Sequence, residues 1–453
     1  MSRTRGPIRA VLPRLPPMSS PTVWLTTLGC AKNQVDSEKL TAMLAEAGYD
    51  QATDPAGADV VMVNTCAFIE AARAESVETI LEIEAVKRPG ANLVVLGCMA
   101  QRFGAEISAA LPEADAVLGL DRYGELIRTL DRLTNWQPVG LRQLPMDILH
   151  AVNRPAPTAP YAYVKVAEGC DKPCTFCAIP LIRGKQRSRR PTNIRDEISV
   201  LTAAGVGEVV LVAQDLASYG RDIEAPGRLV ELLRFVSDVD GLRRLRLLYL
   251  YPQEIRPALI EEMTTNPMIV PYFDLSLQHA EKRLLRAMSR SGSGSRYLDL
   301  IARIRSATPE AALRSSFIVG FPGETEDDVE TLAEFLEQAH LDWAGFFPYS
   351  AEVGTPAADL PGRVDPDAIG ARLRYLQRTQ DEMTEQANAA QVGRTLEVLI
   401  DQVEDGVPVG RTYREAPEID GMVTLDRGRP GEWVLAEITA SYGVDLAARV
   451  VNA

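Results

Sequence analysis

Six cysteines occur in this chain of 453 residues, and they fall into two groups of three. Cys170, Cys174 and Cys177 form a packed C-x3-C-x2-C run, whereas Cys30, Cys66 and Cys98 lie scattered upstream. The packed spacing addresses an iron–sulfur cluster rather than a disulfide or a zinc ion. A cube with a full set of protein thiolates needs a fourth cysteine close by, and Cys177 is the last cysteine of the chain. A [4Fe-4S] cluster on this trio therefore keeps one iron open to a substrate or cofactor.

The upstream cysteines each close an apolar run. Residues 23–28 read as a buried strand ending at Gly29-Cys30, Val60–Val63 ends in Asn64-Thr65-Cys66, and Leu93–Leu96 ends in Gly97-Cys98. Helical patterns follow at Asp36–Ala47 and Glu70–Val86. In a parallel α/β sheet the carboxyl ends of the strands share one crest, where ligands bind. Cysteines with 35 and 31 residues between them thus arrive at one edge. Three readings stay open on the residues alone: a three-thiolate metal or iron–sulfur site, a zinc site completed by water or a histidine such as His150, and three inert buried thiols.

The elements around the packed trio form a series. Arg142–Pro160 is rich in proline, poor in periodicity, and reads as a linker. Six apolar runs follow, each leading into a helical pattern: Tyr161–Ala167, Glu208–Ala213, Leu245–Leu250, Tyr272–Leu277, Ser315–Gly320 and Ala344–Tyr349. Six βα units predict a partial barrel whose chemistry sits at the carboxyl ends of its strands. The packed cysteines come directly after the first strand. Gln214 and Asp215 follow the second, Gln278 and His279 the fourth, and Gly320-Phe321-Pro322-Gly323-Glu324 the fifth. This placement makes Gln214, Asp215, Gln278, Gly320, Gly323 and Glu324 candidates for a cofactor or substrate pocket, with loop, cap and core roles as the alternatives for Gly323, Glu324 and His279. Arg183–Arg190 carries five cations in eight residues. It is either a solvated face or a set of phosphate and carboxylate contacts, and Arg183 is the candidate for a cofactor or substrate carboxylate. From Arg394 onward, alternating runs such as Leu396–Ile400 and Trp433–Ile438 predict a small antiparallel barrel. The expected organisation is a flexible tail at 1–21, an α/β domain at 22–141, a linker at 142–160, a barrel-like core at 161–388 and a small β domain at 389–453.

Composition sets the outer limits. With 46% hydrophobic and 24% charged residues the chain has the make-up of a soluble globular protein, and it contains no apolar run of about 18 residues. Pro7, Pro13, Pro16, Pro17 and Pro21 interrupt the first segment and leave no secretory signal. The expectation is a cytoplasmic chain with reduced thiols, not a secreted one with three disulfides. A formal charge of -14 argues against broad nucleic-acid binding but leaves a local basic groove open.

The segment Glu168-Gly-Cys-Asp-Lys-Pro-Cys-Thr-Phe-Cys177, with Phe176 before its third cysteine, resembles the cluster loop of the radical S-adenosylmethionine (SAM) enzymes. The resemblance implies that the open iron chelates the amino and carboxylate groups of SAM. One electron from the reduced cluster then cleaves SAM to methionine and a 5′-deoxyadenosyl radical, which abstracts hydrogen from an unactivated carbon. The protein's part is to hold carbon and radical together and to exclude water. A three-cysteine amino-terminal domain, this core and a carboxy-terminal barrel of the TRAM type together resemble the methylthiotransferases of that superfamily. That likeness implies a second [4Fe-4S] cluster on Cys30, Cys66 and Cys98 for sulfur delivery, and a further SAM as methyl donor. It also implies a sulfide or persulfide source and an external electron donor such as flavodoxin or ferredoxin.

Two branches of that family differ in substrate. Leu28-Gly-Cys-Ala-Lys-Asn-Gln-Val-Asp-Ser-Glu38, Ala213–Gly220, Leu277-Gln-His279 and Arg414–Gly421 are similar to the branch that methylthiolates the β-carbon of an aspartate in ribosomal protein S12. The other branch modifies isopentenyl-adenosine in tRNA. Ser276 and Ala31 stand where the S12 branch commonly has proline. The implied partner is S12 in the small ribosomal subunit, with contacts to rRNA and none to a membrane. Residues 390–453 carry six arginines, no lysine and eleven acids, a net charge of -5. That makes a poor RNA clamp and a suitable dock for a basic ribosomal protein. The alternatives are the tRNA branch, an acidic solubility face, and a non-enzymatic ribosome-binding module, which leaves two cysteine trios unexplained.

Overall fold

Short apolar runs bounded by turn residues become the buried strands of parallel sheets. The computed structural model describes residues 20–134, 154–223 and 228–451. Most of the expected tail, and residues 142–153 of the expected linker with His150, lie outside the described residues. Thr22–Thr27, Asp50–Gln51, Val60–Thr65, Asn92–Leu96 and Ala116–Leu118 form a parallel sheet in the order second, first, third, fourth, fifth. Its faces are covered on both sides: Leu40 and Leu44 pack with Leu126 and Leu130 on one, Ile80, Ile83 and Ile107 on the other. The helix after Cys30 starts at Ala31, five residues before the expected Asp36. Its first turns bury Lys32, Asn33, Asp36 and Lys39 against the core, so no apolar stripe marks where the helix begins.

Tyr161–Lys165, Glu208–Val212, Arg244–Leu247, Tyr272–Gln278, Ala312–Val319 and Trp343–Pro348 are the core strands. The first three pair in parallel, as do the last three, and parallel bridges Leu245–Ile269 and Leu250–Leu275 join the halves. The result is a six-stranded partial barrel with helices such as Pro191–Ala203, Gly294–Ala307 and Glu326–Ala339 packed outside. Tyr163, Val210, Val212, Tyr272 and Trp343 form a further buried cluster, joined by Val35 of the amino-terminal domain and Ala416 of the carboxy-terminal one.

Thr395–Glu404, Val407–Arg411, Val423–Leu425, Trp433–Tyr442 and Asp445–Val450 close into a small barrel, antiparallel except where Val423–Leu425 runs parallel to Asp445–Val450. The segment from Arg411 to Asp420 plugs the amino-terminal end of the core strands. Arg411 Nη1 lies 3.0 Å from Glu208 Oε2, Arg414 Nη2 lies 2.6 Å from Asp342 Oδ1, and Tyr272 donates its hydroxyl to Asp420 at 2.6 Å. The carboxyl crest at the other end stays clear of it. The amino-terminal domain reaches both edges of the open core: Lys39 pairs with Glu197 at 2.8 Å beyond the first strand, and Arg73 and Arg102 pair with Glu352 beyond the sixth. Among the described residues no helix is long and apolar enough to cross a membrane.

Candidate functional site

Glycine before cysteine is a steric requirement at two of the three upstream positions. Gly29 and Gly97 both have φ of +91°; a Cβ on Gly29 would stand 2.8 Å from Cys66 Cβ, and one on Gly97 would stand 2.3 Å from Asn64 Oδ1. These close approaches let three strand ends converge. Cys30 caps the helix Ala31–Glu46, Cys98 lies in the first turn of Gly97–Ala110, and both positions favour thiolate at a helix amino terminus. Asn33 stitches the crest by donating through Nδ2 to Leu28 O at 2.9 Å and Thr65 O at 3.0 Å. Burial pushes the Cys66 thiol up, and pushes Cys98 up to about 11 although Arg183 opposes it. Burial acts on Cys30 in the same sense, but Lys32 and Arg183 outweigh it and hold that thiol below its ordinary value.

The packed trio occupies the loop between the first core strand and the short helix Ile179–Ile182. Gly169, with φ of +75°, passes so close to Lys185 that a Cβ would meet its carbonyl at 2.2 Å, and Cys170 N donates to Gly184 O at 3.1 Å. Thr175 ties the loop to Ala287 and Met288, and Phe176 packs against the cluster of Leu284, Met288, Phe321 and Ala357. Lys172 N lies 3.4 Å from Cys170 Sγ, and Arg290 Nη1 lies 3.5 Å from Cys174 Sγ. Burial pushes Cys170 up to about 11 and Cys177 up to about 12. Among the described residues no three His, Cys, Asp or Glu side chains converge tightly enough for a single metal ion. A cube, whose liganded irons sit at separate corners, spaces its thiolates more widely than one ion does.

The strand-end candidates have two kinds of environment. Gln214 donates to Glu168 at 3.0 Å and leaves Oε1 buried without a partner among the described residues; Asp215 accepts from Ser218, pairs with Lys172 at 3.4 Å, and leaves Oδ1 likewise. His279 is fully buried, its Nδ1 accepting from Glu281 N at 2.9 Å while Nε2 faces Glu324 Oε2 at 3.7 Å and has no hydrogen-bond partner among the described residues. Gln278 sits at the strand end with φ of +74°. These unpaired polar atoms at the crest fit a polar ligand. Glu324, by contrast, is engaged by the protein: its carboxylate accepts from Gly320 N at 2.9 and 3.0 Å and from Arg372 Nη1 at 2.9 Å. It braces the turn in which Gly320 and Gly323 adopt φ of +82° and +83°.

Arg183, expected to meet a cofactor or substrate carboxylate, gives its guanidinium to Asp36, Glu168 and Asn33, and it also touches Cys98 Sγ. The rest of its basic run divides: Arg189 is buried on Glu197 and Asn193, while Lys185, Arg187 and Arg190 are exposed. Arg290 is not singled out by sequence. It is buried over the Tyr251 ring at 4.2 Å, donates to Ser276 O, has no carboxylate partner among the described residues, and leaves Nε unpaired. Neither motif nor periodicity marks it, because its role comes from folding back 116 residues along the chain to Cys174.

Comparison with known proteins matches residues 22–119 to the uncharacterized protein family UPF0004, residues 164–336 to the radical SAM superfamily and residues 392–451 to the TRAM domain. The chain is 42% identical to the ribosomal protein uS12 methylthiotransferase RimO of Saccharopolyspora erythraea, over 96% of each chain. It is 43% identical to the protein of the same name from Anaeromyxobacter sp. (strain Fw109-5), over 96% of this chain and 94% of that one. In fold it is similar to the radical SAM methyltransferase TsrM from Kitasatospora setae, solved with cobalamin and a [4Fe-4S] cluster, at 15% identity and a TM-score of 0.53, over 73% of this chain and 75% of that one. Shared cluster loop, shared three-part layout and end-to-end identity lead to one conclusion: the chain belongs to the radical SAM methylthiotransferases, in the family of the ribosomal protein uS12 methylthiotransferases.

Proposed function

We propose that this enzyme adds a methylthio group to the β-carbon of an aspartate in ribosomal protein S12, with one [4Fe-4S] cluster on Cys170, Cys174 and Cys177 and a second on Cys30, Cys66 and Cys98. The carrying observation is that each trio gathers at a strand crest and that the two crests meet, with Arg183, six residues beyond Cys177, standing 3.3 Å from Cys98 Sγ in the first turn of Gly97–Ala110. When bound, the clusters supply one-electron reduction of SAM at the core trio and sulfur for insertion at the upstream trio. The chain's own groups do the positioning. Arg290 offers an uncompensated buried cation to an anionic ligand group, and Gln214 Oε1 and Asp215 Oδ1 offer unpaired polar atoms, whereas His279 Nε2 faces Glu324 Oε2 at 3.7 Å. Gly320 and Gly323 allow the backbone of their turn to approach a ligand closely. Sulfide or persulfide as sulfur source, flavodoxin or ferredoxin as electron donor, and the cytoplasm as location belong to the same proposal.

The small barrel favours S12 over tRNA. Four of its six arginines, Arg394, Arg411, Arg414 and Arg449, are engaged by carboxylates of the chain; Arg427 and Arg429 are exposed, as are Glu404, Asp405, Asp426 and Glu432. A basic protein suits such a surface better than a phosphate backbone does. Lys185, Arg187 and Arg190 remain for contacts with rRNA. The test is mass spectrometry of S12 and of tRNA after anaerobic incubation with enzyme, SAM, reductant and sulfide. Modified S12 is expected; modified tRNA with unmodified S12 overturns the substrate. In parallel, reconstituted protein should hold about eight irons and fall to about four when either trio is changed to alanine.

A further inference from the structure

Arg183 lies six residues beyond Cys177, yet its guanidinium serves the other trio. Its Nη2 stands 2.5 Å from Asn33 Oδ1 and 3.3 Å from Cys98 Sγ; its Nη1 stands 2.8 Å from Glu168 Oε1 and 3.2 Å from Asp36 Oδ2. Glu168 precedes Cys170 by two residues, while Asn33 and Asp36 follow Cys30 by three and six. One fork therefore ties the first turns of the helices after Cys30 and at Cys98 to the residues leading into Cys170. Lys165 closes the network by pairing with both Asp36 and Glu168.

Two physical consequences follow from this arrangement. A lysine ammonium can bridge the two carboxylates, as Lys165 does, but its donors sit on one nitrogen. The guanidinium binds Asp36 and Glu168 through Nη1 and reaches Asn33 and Cys98 through Nη2 in one rigid plane, so the reach to Cys98 depends on the fork. The charges also do not cancel among the described residues: buried Lys32, Lys165 and Arg183 face buried Asp36 and half-buried Glu168, and Lys32 rests over the Tyr249 ring at 3.4 Å with no carboxylate partner among those residues. A buried excess of positive charge calls for an anion, and the cysteine sulfurs beside it are the groups that supply one.

We propose that Arg183 is a positioning residue that couples the two cysteine sites. Its N–H donation to Cys98 Sγ raises the reduction potential of the upstream cluster, and its fork fixes where that cluster stands relative to the SAM-cleaving centre. This rests on the reading that Cys30, Cys66 and Cys98 hold a [4Fe-4S] cluster, and the experiment separates the two claims.

The upstream cluster is observed alone in full-length protein carrying Cys170→Ala, Cys174→Ala and Cys177→Ala, with Arg183 intact, changed to Lys, or changed to Met. Iron content and a redox titration followed by electron paramagnetic resonance are the readouts. All three proteins are expected to bind about four irons, with the midpoint lowered by Arg183→Met and lowered less by Arg183→Lys. With all six cysteines present, Arg183→Met is expected to raise the ratio of 5′-deoxyadenosine to methylthiolated product by about tenfold or more, and Arg183→Lys to fall between it and wild type. Iron retained with an unchanged midpoint and ratio overturns the proposal. Loss of iron in both variants overturns it too, because Arg183 then serves only to assemble the site. An Arg183-intact protein that binds no iron sinks the cluster reading itself.

Discussion

Two glycines set the tightest geometric demand at the upstream trio. Gly97 holds φ of +91°, and a Cβ there would stand 2.3 Å from Asn64 Oδ1 and 2.6 Å from the carbonyl of Thr65. A left-handed conformation alone costs an L-residue about 1–2 kcal/mol, and backbone at that distance has no easy way to give. Gly97→Ala is therefore expected to lower stability by more than about 2 kcal/mol in urea denaturation and to empty the upstream site of iron while the core trio keeps its share. Gly90 is the control: it has φ of +83°, but a Cβ there would meet nothing within 4 Å, so Gly90→Ala should cost only about 1–2 kcal/mol and leave the iron count unchanged. Equal iron loss in both variants would show that the close approach at Gly97 is not what shapes the site. The Gly-Cys pairs at 29–30 and 97–98 are visible in sequence as strand ends, but the reason for the glycines is not, since it lies in atoms of Asn64, Thr65 and Cys66 brought there by the fold.

Among the elements, the loop beyond the sixth core strand seats one edge of the amino-terminal domain. Glu352 is buried and pairs with Arg73 of the helix Glu70–Val86 and Arg102 of Gly97–Ala110, while Arg102 Nη2 also reaches Val353 O at 2.7 Å. Glu352→Ala leaves two arginines facing each other without their carboxylate, a loss of the kind that costs about 3–5 kcal/mol. Faster hydrogen exchange in residues 350–354 and at the start of the Glu70–Val86 helix is the expected result; protection unchanged in both would mean the pairing does not hold the domains together. The strands of this molecule are legible because parallel strands buried on both faces appear as unbroken apolar runs, as Val209–Val212 does. The helix Glu70–Val86 is legible to the residue. The beginning of Ala31–Glu46 is not, because its interface is built from Lys32, Asn33, Asp36 and Lys39, and polar residues buried against another domain have no periodic signature. The same blindness hides the Arg183 network, whose members are polar or charged in sequence and buried or half-buried in the fold.

At the scale of the whole molecule, the Arg411–Asp420 segment is a plug: it closes the amino-terminal end of the core with buried charge around the apolar contact of Ala416. Glu208 is fully buried between Arg246 at 2.7 Å and Arg411 at 3.0 Å, and Asp420 between Tyr272 and Arg314. These two carboxylates respond to pH with opposite sign. Burial alone would raise Glu208, but Arg411, Arg246 and Arg244 hold it down at about 2, so its contribution is complete above the ordinary carboxylate range and is lost as pH falls from about 4.5 toward 2. Burial wins at Asp420 and pushes it up to about 6 against Arg314 and Tyr272, so its ionised form weakens the fold and acidification from about pH 6 to 4 relieves that. From these two groups, acidification from about pH 7 should raise stability by about 1–2 kcal/mol to a maximum near about pH 4 and then lower it by about 1 kcal/mol toward about pH 2.5 in urea denaturation, because relief at Asp420 partly offsets the loss at Glu208. Glu208→Gln should flatten the acid limb and Asp420→Asn the neutral one. An acid limb as steep in Glu208→Gln as in wild type would place the acid-sensitive contact elsewhere, the obvious candidate being Glu197, which Arg189, Lys39 and Arg154 hold at about 2 against its burial at the opposite domain interface. That outcome would make the amino-terminal domain, and not the plug, the first part of the molecule to come away in acid.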